Sequence, residues 1–287
     1  MTPVGVLVMA YGTPATPDAV EAYYTHIRRG RPPSPEQLAD LQRRYEAIGG
    51  TSPLLELTRG QAAGLQSELG DGYRVELGMK HAPPFIEDGV TALKAAGVER
   101  SLGLVLAPHY SAMSVGEYAA RADGVDVIEQ WWDAPGYIEL LGNAVARRLA
   151  TLPDGSEVVF TAHSLPARIL DTDDPYPEQL RATAEAVAGR ARLTTWSHAW
   201  QSAGRTSEPW LGPDILEVLD DRAAAGRAGL LVCPCGFVSE HLEILYDLDV
   251  AARGRARSLD LPFARTAMPN TNPEFLATLA DVVRAHG

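Results

Sequence analysis

The residues of this sequence best suited to chemistry stand where short apolar runs stop. Tyr11 follows the run Val4–Met9, His109 follows Leu102–Leu106, and His163 follows Glu157–Ala162. Trp200 lies in the strand-end stretch 198–202, and Ser239-Glu240-His241-Leu242-Glu243 comes soon after the run 229–233. Imidazole and carboxylate together suit a divalent metal or proton transfer near neutral pH. A strand-end histidine also serves as a packed core residue, and His109 and His198 read that way. His163 begins a loop and fits either role. From 239 the pattern predicts a helix to 252 with Ser239 as its N-cap. Glu240, Glu243 and Asp247 then share one face at i, i+3 and i+7, which describes a solvated acidic face as well as a cleft wall. His241 and Glu243 are two apart and do not share a face of a regular α-helix; a local π-turn would bring them closer.

A second constellation is basic. Arg28, Arg29 and Arg31 cluster around Gly30, and residues 1–60 hold six arginines against six acids in a chain of net charge −12. Guanidinium is planar and bidentate, so the cluster suits carboxylate recognition. Arg28 and Arg29 equally fit the C-terminus of a helix over 17–28, where cations are favoured anyway. The acidic balance excludes nucleic acid as the main partner. Cys233 and Cys235 are the only cysteines, which is no disulfide framework and too few for a four-thiolate cluster. No GxxxxGK[ST], strand-following GxGxxG or GxSxG occurs, so a P-loop, a dinucleotide site and a nucleophile elbow are absent. No run of about 18 apolar residues exists to span a membrane, and the start of the chain lacks the features of a signal peptide; a cytoplasmic location is expected.

The elements that must position these residues alternate along the chain. Strands are predicted at Val4–Met9, Arg74–Leu77, Leu102–Leu106, Glu157–Ala162, 193–198 and 229–233. Helices are predicted over 17–28, 34–47, 56–69, 84–96, 136–151, 177–190, 213–225, 239–252 and 272–285. Continuous apolar strands between helices mean parallel sheets covered on both faces. The series runs twice, which predicts an α/β protein of two doubly wound domains, 1–150 and 151–287. Ligands in that architecture sit beyond the carboxyl ends of the strands.

Longer stretches carry a resemblance. Met9–Pro14, Tyr23–Arg31, Arg44–Pro53, Ala107–Ser111, Ala162–Pro166, Trp200–Ser202, Trp210–Pro213 and Gly236–Glu243 resemble the ferrochelatases, most closely the soluble coproporphyrin ferrochelatases of Gram-positive bacteria. The resemblance runs in family order over nearly the whole chain. It implies two Rossmann-like domains of the chelatase fold with a porphyrin cleft between them, and a last helix that packs back on the first domain. It implies insertion of Fe2+, a substrate, into coproporphyrin III or protoporphyrin IX in heme biosynthesis, with loss of two protons and no organic cofactor. His163 and Glu243 match the catalytic metal-site pair; the residues leave open which holds the metal and which takes the proton. Tyr11 matches the tyrosine that approaches the iron of the product. Arg28, Arg44, Tyr45, Ser52 and Tyr118 match porphyrin-contacting positions, Lys80 and His81 a cleft-lining pair. Trp200 is expected in the substrate wall, and Glu240, His241 and Asp247 along a proton path.

The sequence departs from the family pattern at Cys233-Pro-Cys-Gly236, at Ala251 where close relatives carry Glu, and between about 122 and 132, where it is short. An iron–sulfur cluster and a secondary metal site at 251 are therefore not expected. The membrane-associated relatives' insertion and C-terminal extension are also missing, and a monomer is expected. Two rival readings remain: insertion of another divalent metal or use of the cleft on a different small chelating molecule, with Cys235 beside the cleft favouring softer metals, and a non-catalytic tetrapyrrole or metal carrier.

Overall fold

The computed structural model describes residues 2–287. The first sheet comprises β1 (Val4–Ala10), β2 (Tyr73–Met79), β3 (Ser101–Val105) and β4 (Asp126–Ile128), all parallel in the order β2-β1-β3-β4. The second comprises β5 (Glu157–His163), β6 (Trp196–Gln201), β7 (Leu230–Cys233) and β8 (Phe263–Arg265), parallel in the order β6-β5-β7-β8. The two orders are the same permutation. Each sheet therefore has its switch point beside its own first strand, and the crevice that binds ligands in such sheets opens there. In the first sheet that crevice opens at Tyr11 and at the loop after Val105; in the second it opens at His163 and the loop after Cys233.

Helices α1 (Val20–Ile27), α2 (Pro35–Ala47) and α3 (Leu54–Leu69) fill the first crossover. Then come α4 (Ile86–Ala95), α5 (Val115–Ala119), α6 (Pro135–Leu149), α7 (Tyr176–Arg190), α8 (Ile215–Ala224), α9 (Leu242–Leu245), α10 (Arg253–Ser258) and α11 (Pro273–His286). All strands of the first sheet precede residue 150, yet the helices cross over. α6 packs on α7 and β7, whereas α11 returns to α3 and β3. One apolar core consequently runs through both sheets. At its centre Trp131, Tyr137 and Phe275 meet with ring centroids 5.1–6.3 Å apart. Trp131 Nε1 donates to the Val105 carbonyl at the end of β3 at 2.9 Å, and the Tyr137 hydroxyl donates at 2.8 Å to the carbonyl of Cys235, two residues beyond β7, so each buried polar tip is satisfied.

Several boundaries differ from the sequence reading, for physical reasons. The strand expected at 193–198 is β6, three residues later. Arg192 at φ 56° closes α7 in a Schellman turn, with Leu193 N–H on the Ala188 carbonyl and Arg192 N–H on that of Gly189. Leu193 is thus an apolar plug for the helix end. The helix over 17–28 is a 3-10 turn, Pro17–Ala19, running into α1. The helix over 239–252 does not begin at Ser239. His241, extended at φ −158°, precedes α9, a π-helical segment covers Asp247–Ala252, and α10 continues to Ser258. Ser239 is not a cap; its hydroxyl accepts from Gln61 Nε2 at 2.8 Å.

Candidate active site

The two crevices face each other across a cavity of about 720 Å³ lined by loops from both sheets. On the second-sheet side, β5 delivers His163 at its last residue, and the strand register pairs His163 with Gln201 of β6. Gln201 is fully buried; its Oε1 accepts from Thr161 Oγ1 at 2.8 Å, and its Nε2 donates to the Glu243 backbone carbonyl at 3.0 Å. One amide thus fixes the strand that carries His163 to the turn that carries Glu243. The Tyr176 hydroxyl donates to the His163 carbonyl at 2.9 Å and holds the same strand end from the other side.

His163 Nε2 lies 3.4 Å from Glu243 Oε1, and His241 Nε2 lies 3.5 Å from Glu243 Oε2. The extended backbone at His241 brings it to Glu243; the π segment begins four residues beyond Glu243 and plays no part in that contact. His163 Nδ1 donates to the Ser164 carbonyl, so with a carboxylate on Nε2 both ring nitrogens carry protons. Burial alone would lower its pKa, but the Glu243 carboxylate outweighs burial and raises it to about 9. Burial would raise Glu243, yet the same pair and His241 hold it below the usual carboxylate range. While the pair is intact, the raised pKa keeps His163 an imidazolium near neutral pH. Asp247 is pushed up to about 6 by burial, against a hydrogen bond from Ser202 Oγ at 2.5 Å.

The facing wall belongs to the first sheet. Gly12 turns the chain after Tyr11 at φ 96°, and a Cβ there would sit 2.9 Å from the Ala82 nitrogen. Lys80 Nζ pairs with Glu117 at 2.5 Å and lies 5.0 and 5.7 Å from the ring centres of Tyr118 and Tyr11. Burial lowers its pKa. His81 packs 4.6 Å from the Tyr11 ring and meets His26 Nδ1 at 3.0 Å. Burial, with Lys80 next, lowers His81 to about 3, so it is neutral.

At one end of the cavity stand Arg44, Tyr45 and Ser52. Helix α2 carries the first two; Ser34 opens it with a capping box shared with Gln37, and Pro35 occupies the first turn. Tyr45 is buried, with its hydroxyl 3.3 Å from Thr13 Oγ1. Four expected residues do not line the cavity; one is Asp247, which lies just behind it, held by Ser202 and Arg44. Arg28 caps α1 and turns to the Arg31 carbonyl at 3.2 Å and the Tyr24 ring; Arg29, thrown into the left-handed region at φ 56°, lines the cavity instead. Trp200 points into the core, 5.6 Å from Tyr176. Glu240 pairs with Arg265 at 3.3 Å, because it precedes the helix and shares no face with Glu243. Cys235 is also fully buried and off the cavity, which removes the basis for a soft-metal rival. Sequence reasoning missed Gln201, Tyr176 and Glu117. Gln201 stood inside the strand-end stretch already marked, but only the register reveals its neighbours.

Paired crevices thus set a His–Glu pair opposite a tyrosine and a lysine. The family model described as ferrochelatase matches residues 3–287; the chain belongs to the ferrochelatase family. It is 44% identical over 298 residues to the coproporphyrin III ferrochelatase of Halalkalibacterium halodurans, covering 98% of this chain and 96% of that one. It is 41% identical to the coproporphyrin III ferrochelatase of Geobacillus kaustophilus, covering 97% and 94%. The ferrochelatase of Herpetosiphon aurantiacus is 42% identical, with 97% of each chain covered. Among solved structures, SirB from Bacillus subtilis with Fe3+ shares the fold with a TM-score of 0.56 at 11% identity, over 98% of this chain and 94% of that one.

Proposed function

We propose that the protein inserts Fe2+ into coproporphyrin III with release of the two pyrrole protons, a step of heme biosynthesis. The observation that carries the reading is the His163–Glu243 pair facing Tyr11 across one cavity. The choice of porphyrin rests on the names of the Halalkalibacterium and Geobacillus relatives and on the guanidiniums at the cavity rim, which suit a tetracarboxylate. The protein acts as a cytoplasmic monomer; no described helix is long and apolar enough to cross a membrane. Neither an organic cofactor nor an iron–sulfur cluster enters the reaction.

In the resting site His163 is an imidazolium held by Glu243. Fe2+ arriving between Nε2 and Oε1 displaces that proton, leaving one neutral and one anionic donor. When iron passes to the pyrrole nitrogens, the vacated pair takes back one pyrrole proton. The other leaves by His241 and Asp247, so two protons depart for each Fe2+ inserted. Arg44, Tyr45, Ser52 and Arg29 bind the substrate carboxylates, and Tyr11, Lys80, His81 and Tyr118 form the opposite wall. The decisive experiment is turnover of purified protein with Fe2+, Co2+, Zn2+ and Ni2+ against coproporphyrin III and protoporphyrin IX. Preferential metallation of coproporphyrin III by Fe2+ is expected; no metallation of either porphyrin overturns the reading.

A further inference from the structure

Arg44, proposed above to bind a substrate carboxylate, already holds two carboxylates of the protein. Its Nε donates to Asp40 Oδ2 at 3.0 Å, one helical turn back on α2. Its Nη1 reaches Asp247 Oδ1 at 3.5 Å, on the π-helical segment that follows Glu243. The two partners are bound very differently. Asp40 also receives Arg43 Nη2 at 3.0 Å and Arg205 Nη1 at 2.9 Å, so it loses one cation of three if Arg44 turns away. Asp247 has Arg44 as its one ion-pair partner among the described residues, and beyond that the Ser202 hydroxyl. Its contact with Arg44 is also the longer of the two. Arg44 is about three-quarters buried and lines the cavity, so a substrate carboxylate reaches it from within.

We propose that a porphyrin carboxylate displaces Asp247 from Arg44, so that seating the substrate frees a second carboxylate on the wall that carries Glu243. Asp247 follows Glu243 by one helical turn, and its other oxygen stays tethered by Ser202, itself held at φ 62° at the end of β6. The exchange therefore trades one ion pair of Arg44 for another and leaves Asp247 oriented but without its cation. Recognition at the carboxylate end of the cavity is thereby linked to the acid–base capacity of the metal end. Asp247 is a positioning residue in this scheme, a competitor of the substrate that becomes useful once displaced.

The test is a double-mutant cycle on metal-free coproporphyrin III binding, read by porphyrin fluorescence at fixed ionic strength. The scheme rests on the proposed porphyrin reading, and the cycle separates the two. Asp247→Asn should tighten binding about fivefold when Arg44 is present, the scale of a modest ion pair. In an Arg44→Ala background the same change should move the affinity by less than about 1.5-fold. A porphyrin whose carboxylates are esterified should bind Asp247→Asn and wild type alike. Equal tightening in both backgrounds would mean general charge repulsion and overturns the exchange, as does an unchanged or weakened affinity of Asp247→Asn. Should Asp247→Asn fold poorly, Asp247→Ser completes the same cycle. If the wild type binds no coproporphyrin III, the function proposed above falls and the exchange with it; tight binding with an additive cycle removes the exchange alone.

Discussion

Glu243 presents one oxygen to each of two imidazoles, so its removal takes away the charge that keeps His163 protonated, and burial then favours the neutral ring. Glu243→Gln and His163→Ala should each lower kcat by about 10²-fold or more, the usual scale for losing acid–base participation. Their combination should cost little beyond either one, because residues acting as a unit fail together. Coproporphyrin III should still bind, since the arginine end of the cavity is untouched. Steady-state turnover at saturating metal decides: a single variant retaining more than a third of wild-type activity removes the pair from the chemistry. A second residue-scale expectation concerns His109. It is buried, its Nε2 lies 2.9 Å from Thr183 Oγ1, its Nδ1 has no partner, and burial lowers its pKa to about 3. The unfolded chain binds a proton at this residue below about pH 6.5 that the folded chain does not. The contribution of His109 to stability is thus complete above pH 6.5 and is lost as the pH falls toward 3, at up to about 1.4 kcal/mol per pH unit. Urea unfolding between pH 7 and 4 should give a shallower pH slope for His109→Gln than for wild type; equal slopes would show that His109 takes up its proton without unfolding.

The elements tell which parts of this arrangement a sequence can announce. Tyr11 and His163 are legible because each ends a continuous apolar run, and a parallel strand buried on both faces has few other sequence patterns. Glu243 is legible only as a member of a predicted helix face. Only part of that face is real: the extended backbone at His241 puts Glu240 outside it, Glu243 and Asp247 stay one turn apart, and residue periodicity encodes neither that break nor the π segment from Asp247. Arg28 and Arg29 are indistinguishable by type, and a single positive φ decides which of them reaches the cavity. The strands β4 and β8 have three residues each, too short for a pattern. Gly236 illustrates a packing constraint that belongs to an element pair. A Cβ there would lie 2.4 Å from the Ala162 Cβ and 2.8 Å from its Cα, one residue before His163. Gly236→Ala should cost about 1–3 kcal/mol of stability, as overpacking does. It should also lower kcat, because the strain falls between the loops of His163 and Glu243. Thermal melts and turnover measured together check this, and a variant unchanged in both would show slack in that approach.

At the scale of the whole molecule, the shared core makes the two sheets one cooperative unit. Urea unfolding followed by tryptophan fluorescence and by far-ultraviolet circular dichroism should give coincident single transitions, since Trp131 sits where both sheets meet. Two separated transitions would mean that the sheets unfold independently. The same core encloses both cysteines; burial pushes the Cys233 thiol up to about 12 and the Cys235 thiol well above its ordinary value. Native protein should react with no dithiobis(nitrobenzoate), and guanidinium-unfolded protein should yield two thiols per chain.

The crossed helices set how the cleft can deform. α6 leaves the residues of the first sheet to lie on the second, and α11 comes back from the second to lie on the first. Each side is strapped to the other twice, by helices that also touch one another. Such a frame resists tension across the cleft far better than it resists sliding along it, as two plates joined by crossed ties do. Wide hinging is thereby suppressed and small shear is the soft direction. A flat macrocycle is then expected to enter and leave edgewise, as a card moves in a slot, with no parting of the two halves.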